Sequence, residues 1–98
     1  MKKEETSRQT AIQRHVELNG GVVMKTHGSA IQGSAWPDII GGHDGKPFAV
    51  EVKCPGEEAT RAQKAVLDMF ANHGYITGVV ENTQQFERLF RRANTVVH

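Results

Sequence analysis

The run DIIGGHDGKPFAVEVK, residues 38–53, constrains the fold more than any other part of the chain. Two short apolar segments, DIIGG (38–42) and FAVEVK (48–53), flank HDGKP, and the Asp44-Gly45 pair at its centre is a strong signal for a tight hairpin turn. The two segments are therefore expected to pair antiparallel. Gly45 lies seven residues after Asp38 and six before Glu51, so the hairpin returns Glu51 to the neighbourhood of Asp38. Side chains two apart on a strand share a face, which aims Glu51 and Lys53 the same way and Val52 into the opposite packing layer. Two carboxylates and an ammonium converge at one end of the hairpin.

The flanking sequence supplies the layers that such a hairpin needs. Residues 4–19 are polar with apolar positions at Ala11, Ile12, Val16 and Leu18, and NGG follows as a stop, so the segment reads as an amphipathic helix. VVMKT (22–26) reads as a strand, and HGSAIQGSAWP after it, rich in small residues, as a loop. CPGE breaks the strand that ends at Lys53, and Thr60 then caps a helix to about residue 72, with Ala62, Val66, Met69 and Phe70 as its apolar stripe. YITGVVE (75–81) is a further strand. Asn82 or Thr83 caps a last helix, QQFERLFRRA, that buries Phe86, Leu89 and Phe90. The order is α-β-β-β-α-β-α, an α/β fold. Its central sheet should be mixed, with the antiparallel hairpin, a right-handed crossover making the third and fourth strands parallel, and helices on both sides.

With 98 residues the chain buries only about 60–65% of the surface its unfolded form exposes, so a single domain over 1–98 is expected. Twelve Lys and Arg against eleven Asp and Glu leave a formal charge of +1, and any nucleic-acid binding must come from a local patch. The one cysteine, Cys54, excludes a disulfide framework and a multi-cysteine zinc site and fits a reducing compartment. Next to Lys53 on a strand it faces the other way, so it is expected to pack. The N-terminal residues lack the apolar run of a signal peptide, and no window approaches the ~20 apolar residues of a spanning helix. A soluble protein of the cytoplasm, or of the host cytoplasm if viral, is expected.

Two carboxylates side by side repel unless a cation sits between them, and a hard divalent ion such as Mg²⁺ is held by carboxylate and carbonyl oxygens with water. Asp38 and Glu51 suit that role. Such an ion polarises a phosphoryl oxygen, and a neighbouring lysine, here Lys53, orients water and offsets charge developing in an in-line displacement. This is chemistry for cutting phosphodiesters. The plainer alternative is that Asp38 caps the loop-to-strand transition while Glu51 and Lys53 form a surface ion pair.

PDII, EVK, TRAQ and HGYITGVVE, with the first helix before them, resemble the PD-(D/E)xK nuclease superfamily, most closely its small VRR-NUC (virus-type replication-repair nuclease) group, over roughly residues 5–82. The resemblance implies a restriction-endonuclease-like core in which Asp38 and Glu51 hold a Mg²⁺ or Mn²⁺ ion, the Val52 carbonyl adds a ligand, and Lys53 is the catalytic lysine. It also implies a site-facing role for Gln63, which matches a glutamine the group carries on the helix after Glu-x-Lys. The group often places an acid on the first helix. Here the nearest registers offer Gln9 and Gln13, with Glu5 one turn earlier as the preferred carboxylate and Glu17 one turn later. Stand-alone members are largely viral, phage included, or bacterial, and some act as homodimers on branched, Holliday-junction-like DNA, leaving 5′-phosphate ends.

Several residues carry two readings. Gln63 also completes the capping box T-x-x-Q begun at Thr60. Lys25, Ser34, Arg61 and Lys64 are candidate DNA contacts, as are the basic residues of the two terminal helices, although such charges also serve simply as solvated surface. Trp36 suits stacking on a base or packing in the core equally well. The histidines at 15, 27, 43, 73 and 98 show no i, i+4 pair or shared cluster, so they are expected at the surface or at caps, without a zinc site.

The sequence therefore points first to a Mg²⁺- or Mn²⁺-dependent DNA endonuclease, a homodimer on branched DNA with no small-molecule cofactor and no membrane. The alternative is a non-catalytic DNA-binding module that keeps the nuclease fold within a replication or packaging complex. Once Asp38 and Glu51 face a phosphate through a cation, the remaining balance of twelve against nine leaves +3 per chain.

Overall fold

In the computed structural model, which describes residues 3–26 and 35–94, the hairpin turn forms where the sequence demands it. Asp44 has φ 55° and Gly45 φ 76°, the double positive-φ geometry of a two-residue turn whose twist matches that of its strands. It joins β2 (Ile39–His43) to β3 (Lys46–Val52) in the register Ile39↔Val50 through His43↔Lys46. The strand β1 (Val22–Lys25) pairs antiparallel on the outer side of β2, and β4 (Ile76–Val80) pairs parallel with β3. The sheet order is β1-β2-β3-β4. Gly41 permits the close approach of β1, since a Cβ there would sit 2.1 Å from the carbonyl oxygen of Val22.

Helices α1 (Lys3–Leu18) and α3 (Thr83–Asn94) cover one face of the sheet. Phe48, Val50 and Val52 of β3 point into that layer, where they are fully buried with Ile12, Val16, Ile39, Val80, Phe86 and Phe90. The alternate β3 residues Ala49 and Glu51 are also fully buried, because α2 (Arg61–Ala71) packs on β3 and β4 from the other side. A strand buried on both faces is what a central position in a mixed sheet requires. The element order, mixed sheet and helices on both sides match the expected fold.

Differences lie in the helix faces. In α2 the buried residue is Leu67, flanked by half-buried Val66 and Phe70, whereas Ala62 and Met69 are exposed, Met69 at 63%. The i, i+3, i+4 pattern fits two neighbouring stripes in a helix this short, and docking on β4 selects the one through Leu67. In α1, Ala11 and Leu18 are exposed and the inner face is Gln9, Ile12 and Val16. Trp36 is half-buried with its ring edge-on to Phe70 at 5.6 Å, so of its two readings packing is the one observed. Cys54 is buried, as expected. Among the described residues no helix is long and apolar enough to cross a membrane.

Candidate active site

The register that buries Ile39 and Val50 under α1 and α3 puts the next residues outward, Asp38 and Glu51, side by side on the opposite face. The backbone of Asp38 is pinned from β1, because the Thr26 amide donates to its carbonyl at 2.9 Å and the Thr26 hydroxyl donates to the Pro37 carbonyl at 2.6 Å. Its carboxylate accepts the Val52 amide at 2.8 Å, beyond the last β2–β3 pair. One carboxylate is thus fixed by two strands and by the first residue after its partner.

Glu51 is 0% exposed, and no donor group of the described residues reaches either of its carboxylate oxygens. Burial first, then the neighbouring charge of Asp38 and a proton shared with its carboxylate, push the Glu51 pKa up to about 9, with Lys53 opposing and Glu5 adding to the rise. The carboxyl is therefore protonated at neutral pH unless a cation replaces the proton. Buried polar groups are almost always paired, so two orphaned oxygens on one buried carboxyl fit a ligand for a positive ion. Two adjacent carboxylates are donors of the kind a hard divalent cation takes.

The surrounding residues fall at different distances from this pair. Lys53 is half-buried, and its amide donates to the Val80 carbonyl at 3.0 Å, which ties the end of Glu-x-Lys to β4. Half-buried Glu5 in the first turn of α1 lies close enough for its charge to act on Glu51. That turn is brought there by Arg8, whose guanidinium donates to the Glu81 carbonyl at 2.7 Å and to Glu4 at 3.0 Å. Gln9 is buried in the same helix, while Gln13 donates to exposed Glu17 at 3.4 Å, well along α1.

Gln63 takes the capping geometry. Its side-chain oxygen accepts the Thr60 amide at 2.8 Å, and its own amide donates to the Thr60 hydroxyl at 3.1 Å. Arg61 and Lys64 are exposed in the first turn of α2. Lys25 turns toward α1, donating to the Thr10 hydroxyl at 2.9 Å. Ser34 lies outside the described residues, as do His27 and His98.

His73 is exposed at the end of α2, as expected, but His15 and His43 depart from the expectation. His15 of α1 and His43 at the end of β2 both meet Glu87 of α3 through Nε2, at 2.5 and 2.7 Å, and their rings stand 5.5 Å apart. His43 is 5% exposed and packs against Phe86 and Phe90 with ring centroids at 5.2 and 4.8 Å. The shared cluster escaped sequence reading because its members are 28 and 44 residues apart and belong to three elements. The one available signal was alternation: His43 has the same parity on β2 as core-facing Ile39.

No family model matches the chain, and no curated protein matches it. A solved structure described as a VRR_NUC domain matches with a TM-score of 0.74 and 25% identity, over 92% of this chain and 97% of that one. The chain therefore has a restriction-endonuclease-like fold, the class of a nuclease domain. Within that class its likeness is to the VRR-NUC type, in agreement with PDII and EVK at the ends of β2 and β3.

Proposed function

We propose that residues 1–98 form one nuclease domain that hydrolyses phosphodiester bonds in DNA with Mg²⁺ or Mn²⁺. Asp38 and Glu51 hold the cation, with the Val52 carbonyl as a further oxygen ligand. The single observation that carries this reading is Glu51, fully buried beside Asp38 with no donor group of the described residues reaching either carboxylate oxygen. A bound divalent cation supplies Lewis-acid polarisation of the phosphoryl group. Glu51 would hold the ion as its ionised carboxylate, and the Asp38 carboxylate is oriented by the Val52 amide. Lys53 orients the attacking water and offsets negative charge on the phosphoryl oxygens. Glu5 steadies water at the first-helix side, and the Gln63 amide group does so from α2 while its oxygen caps the helix.

DNA enters along the N-terminal turn of α2, where Arg61 and Lys64 meet phosphates, and Ser34 is a further candidate contact from sequence. Lys25 joins them only by leaving Thr10. The substrate is branched DNA and the working form a homodimer, which presents two sites to a junction by two-fold symmetry. Supporting the dimer, Val22 and Met24 of edge strand β1 are 68% and 59% exposed where α2 leaves the sheet uncovered. The enzyme works in the cytoplasm, of a host cell if it is viral.

The test incubates the protein with a four-way junction, a flap, a duplex and single strands in Mg²⁺, Mn²⁺ or EDTA, alongside Lys53→Ala. Junction cutting in Mg²⁺ or Mn²⁺ that stops in EDTA and in Lys53→Ala is expected. Uncut DNA under every metal condition, or undiminished cutting by Lys53→Ala, refutes the proposal.

A further inference from the structure

The cluster of His15, His43 and Glu87 is separate from the carboxylate pair: His43 ends β2 where Asp38 precedes its start, about 17 Å away at strand rise. Its three ligand atoms all lie within 4.8 Å of one another. They come from α1, β2 and α3, the elements that enclose the main core. One Glu87 oxygen serves both imidazoles, which leaves its second oxygen without a histidine partner.

We propose that His15 Nε2, His43 Nε2 and the Glu87 carboxylate form a binding site for a borderline transition-metal ion, Zn²⁺ in the first instance. Two imidazoles and one carboxylate with a fourth position open to solvent are a common zinc donor set. The opening exists. A recess of about 380 Å³ is lined by His15, Thr83, Gln84, Glu87, Arg88 and Arg91, and it gives an ion an entry path to the exposed edges of His15 and Glu87. Arg88 and Arg91 oppose any cation there by charge. The ion must therefore gain from imidazole nitrogen, which favours Zn²⁺ over Mg²⁺ or Ca²⁺.

The geometry needs a small adjustment. Tetrahedral zinc with bonds near 2.0–2.1 Å sets its ligand atoms about 3.3 Å apart, against the 2.5 and 2.7 Å of the present hydrogen bonds. His15 and Glu87 have side chains 29% and 31% exposed and are free to open by that amount, while His43, held among Phe86 and Phe90, is the fixed ligand. Glu87 is prepared for the role. Its carboxylate already faces both imidazole nitrogens, and an ion entering between them takes the place of the two Nε2 protons. A metal here would clamp α1 and α3 to the end of the hairpin.

The experiment titrates the untagged chain with Co²⁺, reads the d–d absorption, and then displaces Co²⁺ with Zn²⁺. One saturable, tetrahedral-type cobalt site per chain is expected, with Zn²⁺ also raising the unfolding midpoint. His15→Gln and Glu87→Gln, both at partly exposed positions, should each weaken Co²⁺ binding by about tenfold or more. Asp38→Asn/Glu51→Gln should leave it intact, which separates this site from the carboxylate pair. An absent cobalt spectrum, or one that survives unchanged in both His15→Gln and Glu87→Gln, overturns the site and leaves a hydrogen-bonded His-Glu-His cluster only.

Discussion

The two ends of β2 hold two buried or half-buried carboxylates in opposite electrostatic states. At one end Glu51 is sealed from water beside another carboxylate, with no donor to either oxygen, and its pKa is pushed up to about 9. At the other end Glu87 is desolvated too, yet donors from His15 and His43 hold its pKa down. Desolvation acts the same way at both. What differs is whether the fold itself supplies the positive partner, and where it does not, the carboxyl takes up a proton or an external cation. A carboxylate given donors by the fold stays charged without an ion, whereas one without donors takes up a proton or a cation.

The largest effect expected from this contrast is a split between activity and stability at Glu51. Glu51→Gln replaces a protonated carboxyl by a neutral amide of nearly equal shape, so it should keep the fold at neutral pH while reducing cleavage by about a thousandfold or more. Cleavage assays beside urea denaturation check this, and a variant that unfolds but still cuts when folded would remove Glu51 from the site. The pH dependence follows the same logic. Because the folded pKa of Glu51 exceeds the ordinary 4.5, its contribution to stability is complete below about 4.5 and is lost as pH rises toward 9. Metal-free wild type should therefore lose stability relative to Glu51→Gln across that window. Calorimetry in buffers of different ionisation enthalpy should show a proton released as Mg²⁺ or Mn²⁺ binds.

Glu87 should behave in the reverse sense. Its lowered pKa makes its contribution present above the ordinary carboxylate value and lost as pH falls through the folded value. Glu87→Gln leaves two imidazoles competing for one amide oxygen and should cost about 1–3 kcal/mol near neutral pH, with cleavage at saturating Mg²⁺ unchanged once the variant is folded. Urea midpoints against wild type, for Glu51→Gln from about pH 5 to 8 and for Glu87→Gln from about pH 5 downward, decide whether the two carboxylates carry opposite slopes. Parallel slopes would break the contrast.

How much of this was legible depended on sequence distance. The hairpin was readable because Asp44-Gly45 demands positive φ at adjacent positions, and once the turn is placed the pairing of 39 with 50 follows, and with it the meeting of Asp38 and Glu51. The burial of Glu51 was not readable, because it arises from α2 closing over β3, and nothing in EVK reports what covers it. The stripe of α2 leaves Met69 and Ala62 exposed because an eleven-residue helix offers two nearly equal apolar faces and only the sheet chooses between them. The histidine cluster depends on three elements packing together, so residues that look isolated along the chain share one carboxylate in space. Local turn chemistry survives translation from sequence to structure, and convergence across layers does not.

The smallest effect concerns Gln63, where cap and site compete for one side chain. Thr60→Ala and Gln63→Ala each remove half of the same capping box, and each should cost about 1 kcal/mol of stability. If Gln63 acts only as a cap, the two variants should cut alike, because both loosen the first turn of α2 to a similar degree. If its amide group also steadies water beside Asp38 and Glu51, Gln63→Ala should lower kcat further than Thr60→Ala at equal stability, and Gln63→Glu, which keeps an acceptor for the Thr60 amide but loses the donor, should keep the cap and share the kcat defect. Equal kcat in all three variants would confine Gln63 to the helix terminus and leave the chemistry to Asp38, Glu51 and Lys53.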